Sequence, residues 1–282
     1  MEHIPLNLPK ISVVITCYNL GHYLNEALDS VAERAGRGEV EVIVVDDGST
    51  DPATIEVLDA MDPQLYTLLR QRNMGLSAAR NNGIEVARGK YIIPLDADNR
   101  LRPAMFEEVV SVLETKPEVD IVFGDAEYFD GREGRFHMGP ARLTELMERN
   151  RIDACAGFRK TLWERLSGYD EQMLLGYEDW EFWLRSLVSG ANFHYTGVIL
   201  FDYRVRAGSM VTNTIKHRAG IEEYIFNKPE LRFLREHRST YLELLALSRQ
   251  KVVLDGRTLL RMLYDRLRKR IGPSTTAVVD GH

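Results

Sequence analysis

Short apolar runs alternate with amphipathic stretches in the first part of the chain. The runs are rich in β-branched residues and end at turn residues, which predicts strands rather than helices. The predicted strands cover residues 11–17, 40–45, 65–69 (the weakest run), 91–95 and 120–124. Apolar residues at helical spacing predict helices between them, around 24–31, after Pro52, and over 77–87 and 103–114. This alternation predicts right-handed βαβ units, and therefore an α/β fold with a mostly parallel sheet.

Polar residues follow three of these strands at the point where each strand ends. These polar segments are 16–19, 46–50 and 96–99. In open α/β sheets, ligands bind beyond the carboxyl ends of the strands. The three segments therefore predict a nucleotide-type binding site along one edge of the sheet.

Two carboxylates lie two residues apart at the end of the fourth run, Asp96 and Asp98. If the chain stays extended there, a period of two residues puts both side chains on one face. Carboxylates held so close repel each other unless a cation lies between them. Hard divalent ions take oxygen ligands and can bridge carboxylates to a diphosphate, so the pair predicts a metal–diphosphate site. Taken alone, the Asp-x-Asp spacing also fits a polar turn after a strand.

After residue 125 the regular alternation is lost. Turn residues predict a hairpin or loop over 128–135, and one or two strands are expected within 193–203. Helices are predicted over 141–149, 161–166, 178–188 and 220–248, the last interrupted near Pro229. Trp180, Trp183 and Leu184 fall on one stripe of the third of these helices, which indicates core packing rather than a cofactor site.

Composition narrows the possible functions. The chain has 282 residues, a net charge of -6 and a pI near 5.7, which argues against nucleic acid as its main partner. No apolar stretch approaches the roughly 20 residues that span a bilayer, and residues 1–10 lack the apolar core of a signal peptide. Cys17 and Cys155 are the only cysteines, which fits a reducing compartment. We therefore expect a cytoplasmic protein.

Basic residues are concentrated near the C-terminus. Residues 249–270 carry eight of them against Asp255 and Asp265. Leucines at helical spacing give this segment one apolar face. It fits a packed C-terminal helix with a solvated basic face, and the alternative is a peripheral contact with an anionic membrane surface on the inner face.

Five short motifs now stand in order along the chain. They are Val-Val-Ile-Thr-Cys-Tyr-Asn at 13–19, Val-Val-Asp-Asp-Gly-Ser-Thr at 44–50, Asn-Met-Gly at 73–75 with Ala-Arg-Asn-Asn-Gly at 79–83, Leu-Asp-Ala-Asp at 95–98, and Gly-Tyr-Glu-Asp-Trp at 176–180. Each motif is weak alone, but together they resemble the family-two glycosyltransferases, which have the glycosyltransferase A fold. The resemblance runs from Ile11 to about Asn213.

The resemblance implies a Rossmann-like nucleotide-diphospho-sugar transferase fold with a mixed central sheet and C-terminal helices. It also implies transfer of a sugar, with inversion, from a UDP-sugar to a hydroxyl of a glycan or lipid-linked acceptor in cell-surface polysaccharide synthesis. A catalytic domain is expected over 1–215, with a nucleotide-sugar-binding part (10–125) and an acceptor-binding part (126–215). Residues 216–282 would form a helical extension and tail.

The same resemblance assigns residues to the donor. They are Thr16, Tyr18, Asn19, Asp47, Asn73, Arg80, Asp96 and Arg206. Tyr18 offers an aromatic face to the nucleobase, and Asp47 could accept the ring N–H of uracil. Arg80 could reach the base or the phosphates, although a helix-surface arginine fits the pattern too. Asp46 is expected to support its turn, and Asn73 to shape the next one.

A divalent ion, Mn²⁺ or Mg²⁺, is implied at the Asp-x-Asp pair. Asp98 is expected to be the direct ligand, and Asp96 to bind through water or to reach the ribose. Many family members carry a histidine where this chain has Arg206. Arginine cannot ligate a cation, but its planar fork suits a phosphate. We therefore expect Arg206 to contact the diphosphate.

An inverting displacement needs a base on the acceptor side. Asp179 is the predicted base, and Glu178 is predicted to orient the acceptor or the donor. Both stand at the predicted start of a helix, where the helix dipole would help to keep Asp179 ionised. Helix capping is the structural alternative for both residues.

Two other functions fit parts of the pattern. A glycosyltransferase-like module could bind a nucleotide sugar without turning it over, but the chain retains the Asp-x-Asp pair and Glu178-Asp179. A sugar nucleotidyltransferase would need a glycine-rich, basic loop after the first strand. Residues 16–23 contain one glycine and no lysine or arginine, which disfavours that activity.

Overall fold

The computed structural model of the chain describes residues 9–140 and 142–249. The strands are β1 (Ile11–Cys17), β2 (Val40–Asp46), β3 (Thr67–Arg70), β4 (Tyr91–Asp96), β5 (Arg100–Leu101), β6 (Ile121–Asp130), β7 (Gly134–Phe136), β8 (Gly157–Arg159) and β9 (Phe193–Val205). The helices are α1 (Gly21–Gly36), α2 (Pro52–Asp59), α3 (Leu76–Val86), α4 (Pro103–Thr115), α5 (Leu143–Glu148), α6 (Lys160–Arg165), α7 (Glu178–Val188), α8 (Met210–Phe226) and α9 (Arg232–Arg249). A 3₁₀ turn, Pro229–Leu231, precedes α9.

The strands form one mixed sheet in the order β3-β2-β1-β4-β8-β6-β9-β5, with β7 paired to β6. The first four strands of this order are parallel. β1, β2 and β4 are buried on both faces, which explains why they read as nearly continuous apolar runs rich in valine and isoleucine, whereas β3 at the edge is partly exposed. The α/β fold class predicted from the sequence is confirmed.

The register of the parallel strands brings their carboxyl ends together. Thr16 in β1 lies opposite Asp96 in β4, and Cys17 lies opposite Asp46 in β2. The predicted gathering of polar residues at one edge follows from this register.

The second half of the chain completes the sheet with less regular connections. The predicted hairpin is present as β6 and β7, and 193–205 forms one strand, parallel to β6. The third strand is shorter and begins two residues later than predicted, at Thr67. Helix α8 begins at Met210, ten residues before the predicted start, because Thr214 and Ile221 bury against the rest of the chain.

The aromatic stripe of α7 is core, as predicted. Trp180 and Trp183 are fully buried. The indole N–H of Trp180 donates to the carbonyl of Leu146 (2.7 Å), and that of Trp183 donates to Ile152 (3.2 Å). These bonds satisfy both indoles and fix α7 against the chain that leads into β8.

A compact unit extends to Glu236, and the boundary predicted at 215/216 falls inside α8. Helix α8 belongs to this unit because the Thr214 hydroxyl donates to the carbonyl of Leu175 (2.7 Å) and Phe226 packs edge-on to Trp180. The basic segment 249–270 lies outside the described residues except for Arg249. Within the described ranges, no helix has both the length and the apolar character required to cross a bilayer.

Candidate active site

The Asp-x-Asp pair lies where β4 ends. The Thr16 hydroxyl is 3.5 Å from Asp96 Oδ1, which joins the ends of β1 and β4. The chain does not stay extended beyond this point, since the Asn99 N–H donates to the carbonyl of Asp96 (2.9 Å) and closes a turn. The condition of an extended chain is therefore not met, and Asp98 lies inside the turn.

Arg80 links this pair to a distant part of the chain. Its side chain, carried by α3, is buried, with 1% of the residue exposed. Nη2 donates to Asp96 Oδ1 (2.8 Å), and Nη1 donates to Glu178. We expected Arg80 to reach the base or the phosphates, but the structure gives it two carboxylate partners within the chain. Its contact with a donor stays a prediction.

Glu178 and Asp179 begin α7, as expected from the sequence. The preceding turn has positive φ at Gly176 (96°) and Tyr177 (62°). A β-carbon at Gly176 would lie 2.4 Å from the hydroxyl of Thr214, so only glycine allows α8 to approach this closely. The turn therefore fixes the direction in which both acidic side chains leave the helix.

Asp179 is enclosed and held by two hydrogen bonds. The Asn150 amide donates to Oδ2 (2.8 Å), and the N–H of Trp180 donates to Oδ1 (2.7 Å). Burial, the charge of Glu178 and the charge of Asp153 raise the pKa of Asp179 to about 8. The expectation that the helix dipole keeps this carboxyl ionised is wrong, because burial and two like charges outweigh the dipole.

Asp153 is a site residue that the sequence analysis missed. It stands in the chain between α5 and β8, and the effects of burial and of Asp96 raise its pKa to about 7. It is the one acidic residue in a stretch of small and apolar residues, 152–157, which was its only sequence signal.

Tyr203, on β9, shows that these carboxylates share one space. Burial is the main cause that raises the pKa of its phenol. The further causes are the charges of Asp153, Asp96, Asp98 and Asp179. Carboxylates from three separate segments of the chain therefore lie close enough to act on a single phenol.

Asp98 pairs with the arginine that replaces the family's histidine. Arg206 Nε donates to Asp98 Oδ2 (2.7 Å). Burial and the neighbouring charge of Asp96 raise the pKa of Asp98, while Arg206 opposes that rise. Arg206 was expected on the diphosphate, and here it lies on the predicted metal ligand instead.

The Asp-x-Asp pair fits a divalent ion only with help from other ligands. Asp96 Oδ2 receives no hydrogen bond from any described residue, and Asp98 Oδ1 receives none from another described residue. Within those residues there is no group of three acidic, histidine or cysteine side chains placed to hold a metal. Two free carboxylate oxygens suit a hard ion that completes its shell with waters and substrate phosphates.

The residues assigned to the nucleobase end make contacts within the chain. Asp47 Oδ1 accepts from the N–H of Met74 (2.8 Å) and the amide of Gln71 (2.7 Å), and Oδ2 accepts from the N–H of Gly75 (3.0 Å). A carboxylate has about four acceptor positions, so about one remains for a uracil N–H. Asp46 supports its own turn, as expected, by accepting from the N–H of Ser49 (2.8 Å).

Asn19 also serves the local structure. It has a φ of 55°, and its side-chain oxygen accepts from the N–H groups of Thr50 (2.8 Å) and Asp51 (2.9 Å). Tyr18 is 45% exposed beside it, and Asn73 is exposed on the neighbouring turn. Donor contacts of these three residues stay predictions.

Replacing Asp47 with alanine should cost about 2–3 kcal/mol of stability, because two backbone N–H groups lose a charged acceptor. Urea unfolding of the variant measures this loss. The matched control is Asn73→Ala, on the same turn, which should change stability by less than about 0.5 kcal/mol. Equal losses in the two variants would contradict the role assigned to Asp47.

A surface groove of about 390 Å³ lies between α1 and α2. Its lining includes Leu28, Asp29, Glu56 and Tyr66, and none of the predicted site residues. The candidate site is therefore defined by the convergence of side chains around Tyr203 and Arg80.

Comparison with known proteins identifies relatives of this chain. Residues 12–171 match the family model described as glycosyl transferase family 2. The chain is 30% identical over 247 residues to the UDP-Gal:alpha-D-GlcNAc-diphosphoundecaprenol beta-1,3-galactosyltransferase of Escherichia coli, covering 83% of this chain and 86% of that protein.

Solved structures share the fold. Staphylococcus aureus TarS (residues 1–349) in complex with UDP-GlcNAc superposes with a TM-score of 0.62 at 18% identity, over 83% of this chain and 71% of that one. Pyrobaculum calidifontis mannosyltransferase PcManGT, in complex with GDP-Man and Mn²⁺, gives 0.56 at 19% identity, over 93% and 81%. The glycosyltransferase A fold implied by the motifs is confirmed.

Proposed function

The chain belongs to glycosyl transferase family 2, and we propose that it moves a sugar, with inversion, from a UDP-sugar to a hydroxyl of a glycan or lipid-linked acceptor. One observation carries the proposal. Arg80 holds Asp96, at the predicted phosphate end, together with Glu178, next to the predicted base. The choice of UDP is supported by the ligand of TarS and by the donor named for the Escherichia coli relative.

In the proposed reaction, Asp179 takes the proton of the acceptor hydroxyl. The hydroxyl oxygen forms the new bond to the anomeric carbon, while the bond to the diphosphate breaks and its electron pair leaves with the nucleotide. A base with a pKa near the working pH is well matched to this transfer, and burial with Glu178 and Asp153 gives Asp179 a pKa of about 8.

Glu178 acts as a fixed neighbour of the base. Its carboxylate accepts a hydrogen bond from Arg80, and the residue is only 4% exposed. The position of this side chain is therefore fixed within the protein. This arrangement supports the predicted orienting role. Because the same guanidinium also donates to Asp96, it restricts the movement of Glu178 and Asp96 relative to each other.

Asp96 and Asp98 would hold a divalent ion through their free oxygens. Such an ion would neutralise charge that develops on the leaving diphosphate. Arg206 then has to leave Asp98 Oδ2 or share that carboxylate with the ion. Once released, its guanidinium is free to bind a phosphate oxygen, which preserves the role predicted for it.

A donor screen tests the proposal. Thermal stability should rise with UDP and UDP-sugars, and rise further with Mn²⁺, while GDP- and dTDP-sugars should give smaller shifts. NMR of the product formed with an accepted sugar should show an inverted anomeric centre. Stabilisation by GDP-sugars alone would refute the uracil contact assigned to Asp47, and a retained anomeric configuration would refute the single displacement.

A module that binds nucleotide sugars without catalysis is the second candidate. It predicts the same thermal shifts but no transfer and no donor hydrolysis. Turnover that is present in the native chain and lost in Asp179→Asn would exclude it. A buried carboxyl with a pKa of about 8, beside carboxylates that Arg80 links, favours the enzyme.

The Arg206→Gln variant should bind Mn²⁺ about two- to fivefold more tightly in the absence of UDP. The reason is that the ion no longer competes with a partly exposed ion pair, which is worth ~1 kcal/mol or less. Titration of Mn²⁺ binding without nucleotide measures the change. Arg218→Gln, which removes an arginine paired to Glu222 on α8, is the control and should leave the affinity unchanged. Weaker Mn²⁺ binding in Arg206→Gln would contradict this competition.

A further inference from the structure

We propose that Asp153 determines which sugar is transferred, by hydrogen-bonding a hydroxyl of the donor's sugar ring. The inference rests on the proposed function and adds a residue that recognises the sugar itself, separate from the residues assigned to nucleotide, diphosphate and base. It follows from where residues 150–155 run.

One end of this segment lies beside Asp96. Strand β8 is antiparallel to β4, with Arg159 opposite Tyr91 and Phe158 opposite Ile92. Before β8 the chain leaves this ladder through tight turns, in which the N–H of Ala156 donates to the carbonyl of Ala154 (2.8 Å). Asp153 stands in these turns, and the charge of Asp96 is, after burial, the largest cause that raises its pKa.

The other end of the segment lies at the predicted base. The Asn150 amide donates to Asp179 (2.8 Å), and Trp183, one turn along α7, donates to the carbonyl of Ile152 (3.2 Å). Three residues after Asn150, Asp153 therefore falls between Asp179 and Asp96. The electrostatics agree, because Asp96, Arg80 and Glu178 all act on Asp153, and Asp153 acts on Asp179.

This position faces the sugar in an inverting transfer. The attacking oxygen and the leaving diphosphate lie on opposite sides of the anomeric carbon. If Asp179 marks the first side and Asp96 the second, a side chain between them lies beside the ring. The ring presents hydroxyl groups, and a carboxyl group is a strong partner for them.

Asp153 has an oxygen to offer. Its Oδ1 accepts from the N–H of Cys155 (2.9 Å), and its Oδ2 receives no hydrogen bond from any described residue. A second buried group nearby is also unpartnered: the Tyr169 hydroxyl, with 2% of the residue exposed and no hydrogen bond, lies within the influence of Asp179, Glu178 and Asp96. The hydroxyl groups of a sugar would supply the hydrogen-bond partners that Asp153 Oδ2 and the Tyr169 hydroxyl lack among the described residues.

The test compares UDP with a UDP-sugar in Asp153→Ala and Asp153→Asn. The probe is the tightest binder among UDP-N-acetylglucosamine, UDP-galactose and UDP-glucose, measured by calorimetry. Asp153→Ala should weaken the UDP-sugar about ten- to hundredfold, the range expected for a lost charged hydrogen bond, and change UDP affinity less than about twofold. Asp153→Asn, which keeps one hydrogen-bonding group, should lose less.

The control is Asp120→Asn, which removes a half-buried carboxylate directly before β6 that accepts a hydrogen bond from the N–H of Asn192. This variant should leave both affinities unchanged. Deoxy analogues of the UDP-sugar give a measurement that needs no stable variant. One deoxy analogue should bind the native chain about tenfold more weakly than the complete UDP-sugar does. In Asp153→Asn the difference in affinity between these two ligands should be smaller.

The outcomes separate this inference from the proposed function. Equal losses for UDP and the UDP-sugar in Asp153→Ala, or no loss for either, would overturn the role of Asp153 alone. So would a native chain that binds every deoxy analogue equally well. A native chain that binds neither UDP nor any of the UDP-sugars would overturn the proposed function, and this inference with it.

Discussion

Replacing Asp179 with asparagine is expected to lower the rate of sugar transfer by about 10²- to 10⁴-fold, the usual contribution of a positioned base. The amide keeps the shape of the carboxyl and can still meet Asn150 and the N–H of Trp180 after rotation. It cannot take a proton from the acceptor. The affinity for UDP should be unchanged, because the proposed role of Asp179 is on the acceptor side. Transfer assays and UDP calorimetry on the same preparation measure both effects.

The stability of Asp179→Asn distinguishes a catalytic loss from a folding defect. The folded-state pKa of Asp179 is raised, so folding favours the protonated carboxyl. Its contribution to stability is complete below the unfolded pKa and is lost as pH rises through about 8. Asparagine carries no such dependence, so the variant should gain stability relative to the native chain as pH rises from about 4 to about 8. A stability difference between the two proteins that stays constant over this range would contradict the raised pKa.

The same carboxyl predicts a pH profile. Below about pH 8 the free enzyme holds Asp179 mostly protonated, so kcat/KM should rise with pH and level off near that value. Asp153, with a pKa of about 7, also titrates in this range and broadens the rise of kcat/KM with pH. A rate that is flat from pH 5 to 9 would argue against Asp179 as the base.

Replacing Arg80 with methionine should cost about 3–5 kcal/mol of stability, the range for breaking a buried ion pair from one side. Methionine fills much of the arginine's volume but leaves Glu178 buried without its cation. Asp96 contributes less, because its side chain is 35% exposed. Urea unfolding measures the loss, and transfer should fall as well because Glu178 and Asp96 lose their common anchor.

Two comparisons make the Arg80 result specific. Arg37→Met removes an exposed arginine that pairs with Glu33 and should cost less than about 1 kcal/mol. The double variant Arg80→Met with Glu178→Gln should recover part of the stability but not the activity, because the buried charge is removed along with its partner. If the double variant is no more stable than Arg80→Met, the loss does not come from the unpaired carboxylate.

The parts of the fold that could be predicted are those that depend on local pattern. The valine- and isoleucine-rich runs became β1, β2 and β4, because strands covered on both faces must be apolar along their whole length. Polar residues at the ends of these strands then had to meet at one edge, since parallel strands share a direction. The hairpin after residue 125 was also predicted, whereas the start of α8 was not, because its burial depends on contacts with Leu175 and α7.

Side-chain partners could not be predicted in the same way. Arg80 reads as a helix-surface arginine, yet it is buried between carboxylates that are 16 and 98 residues away in the sequence. Asp153 carries no periodic signal, and only the fold brings it within the influence of Asp96 and Asp179. Asp179 was identified by its motif, but its protonation was predicted in the wrong direction, because burial cannot be read from two adjacent acidic residues.

The sequence alone determined the family, the α/β fold and the edge of the sheet at which polar residues collect, since hydrophobic period, turn residues and motif order are local properties. Only the tertiary structure decided that Arg80 joins Asp96 to Glu178, that Arg206 lies on Asp98, and that Asp153 comes under the charges of Asp96 and Glu178. Ion pairs, burial and pKa values depend on distances between residues far apart in the chain, and those distances exist only after folding.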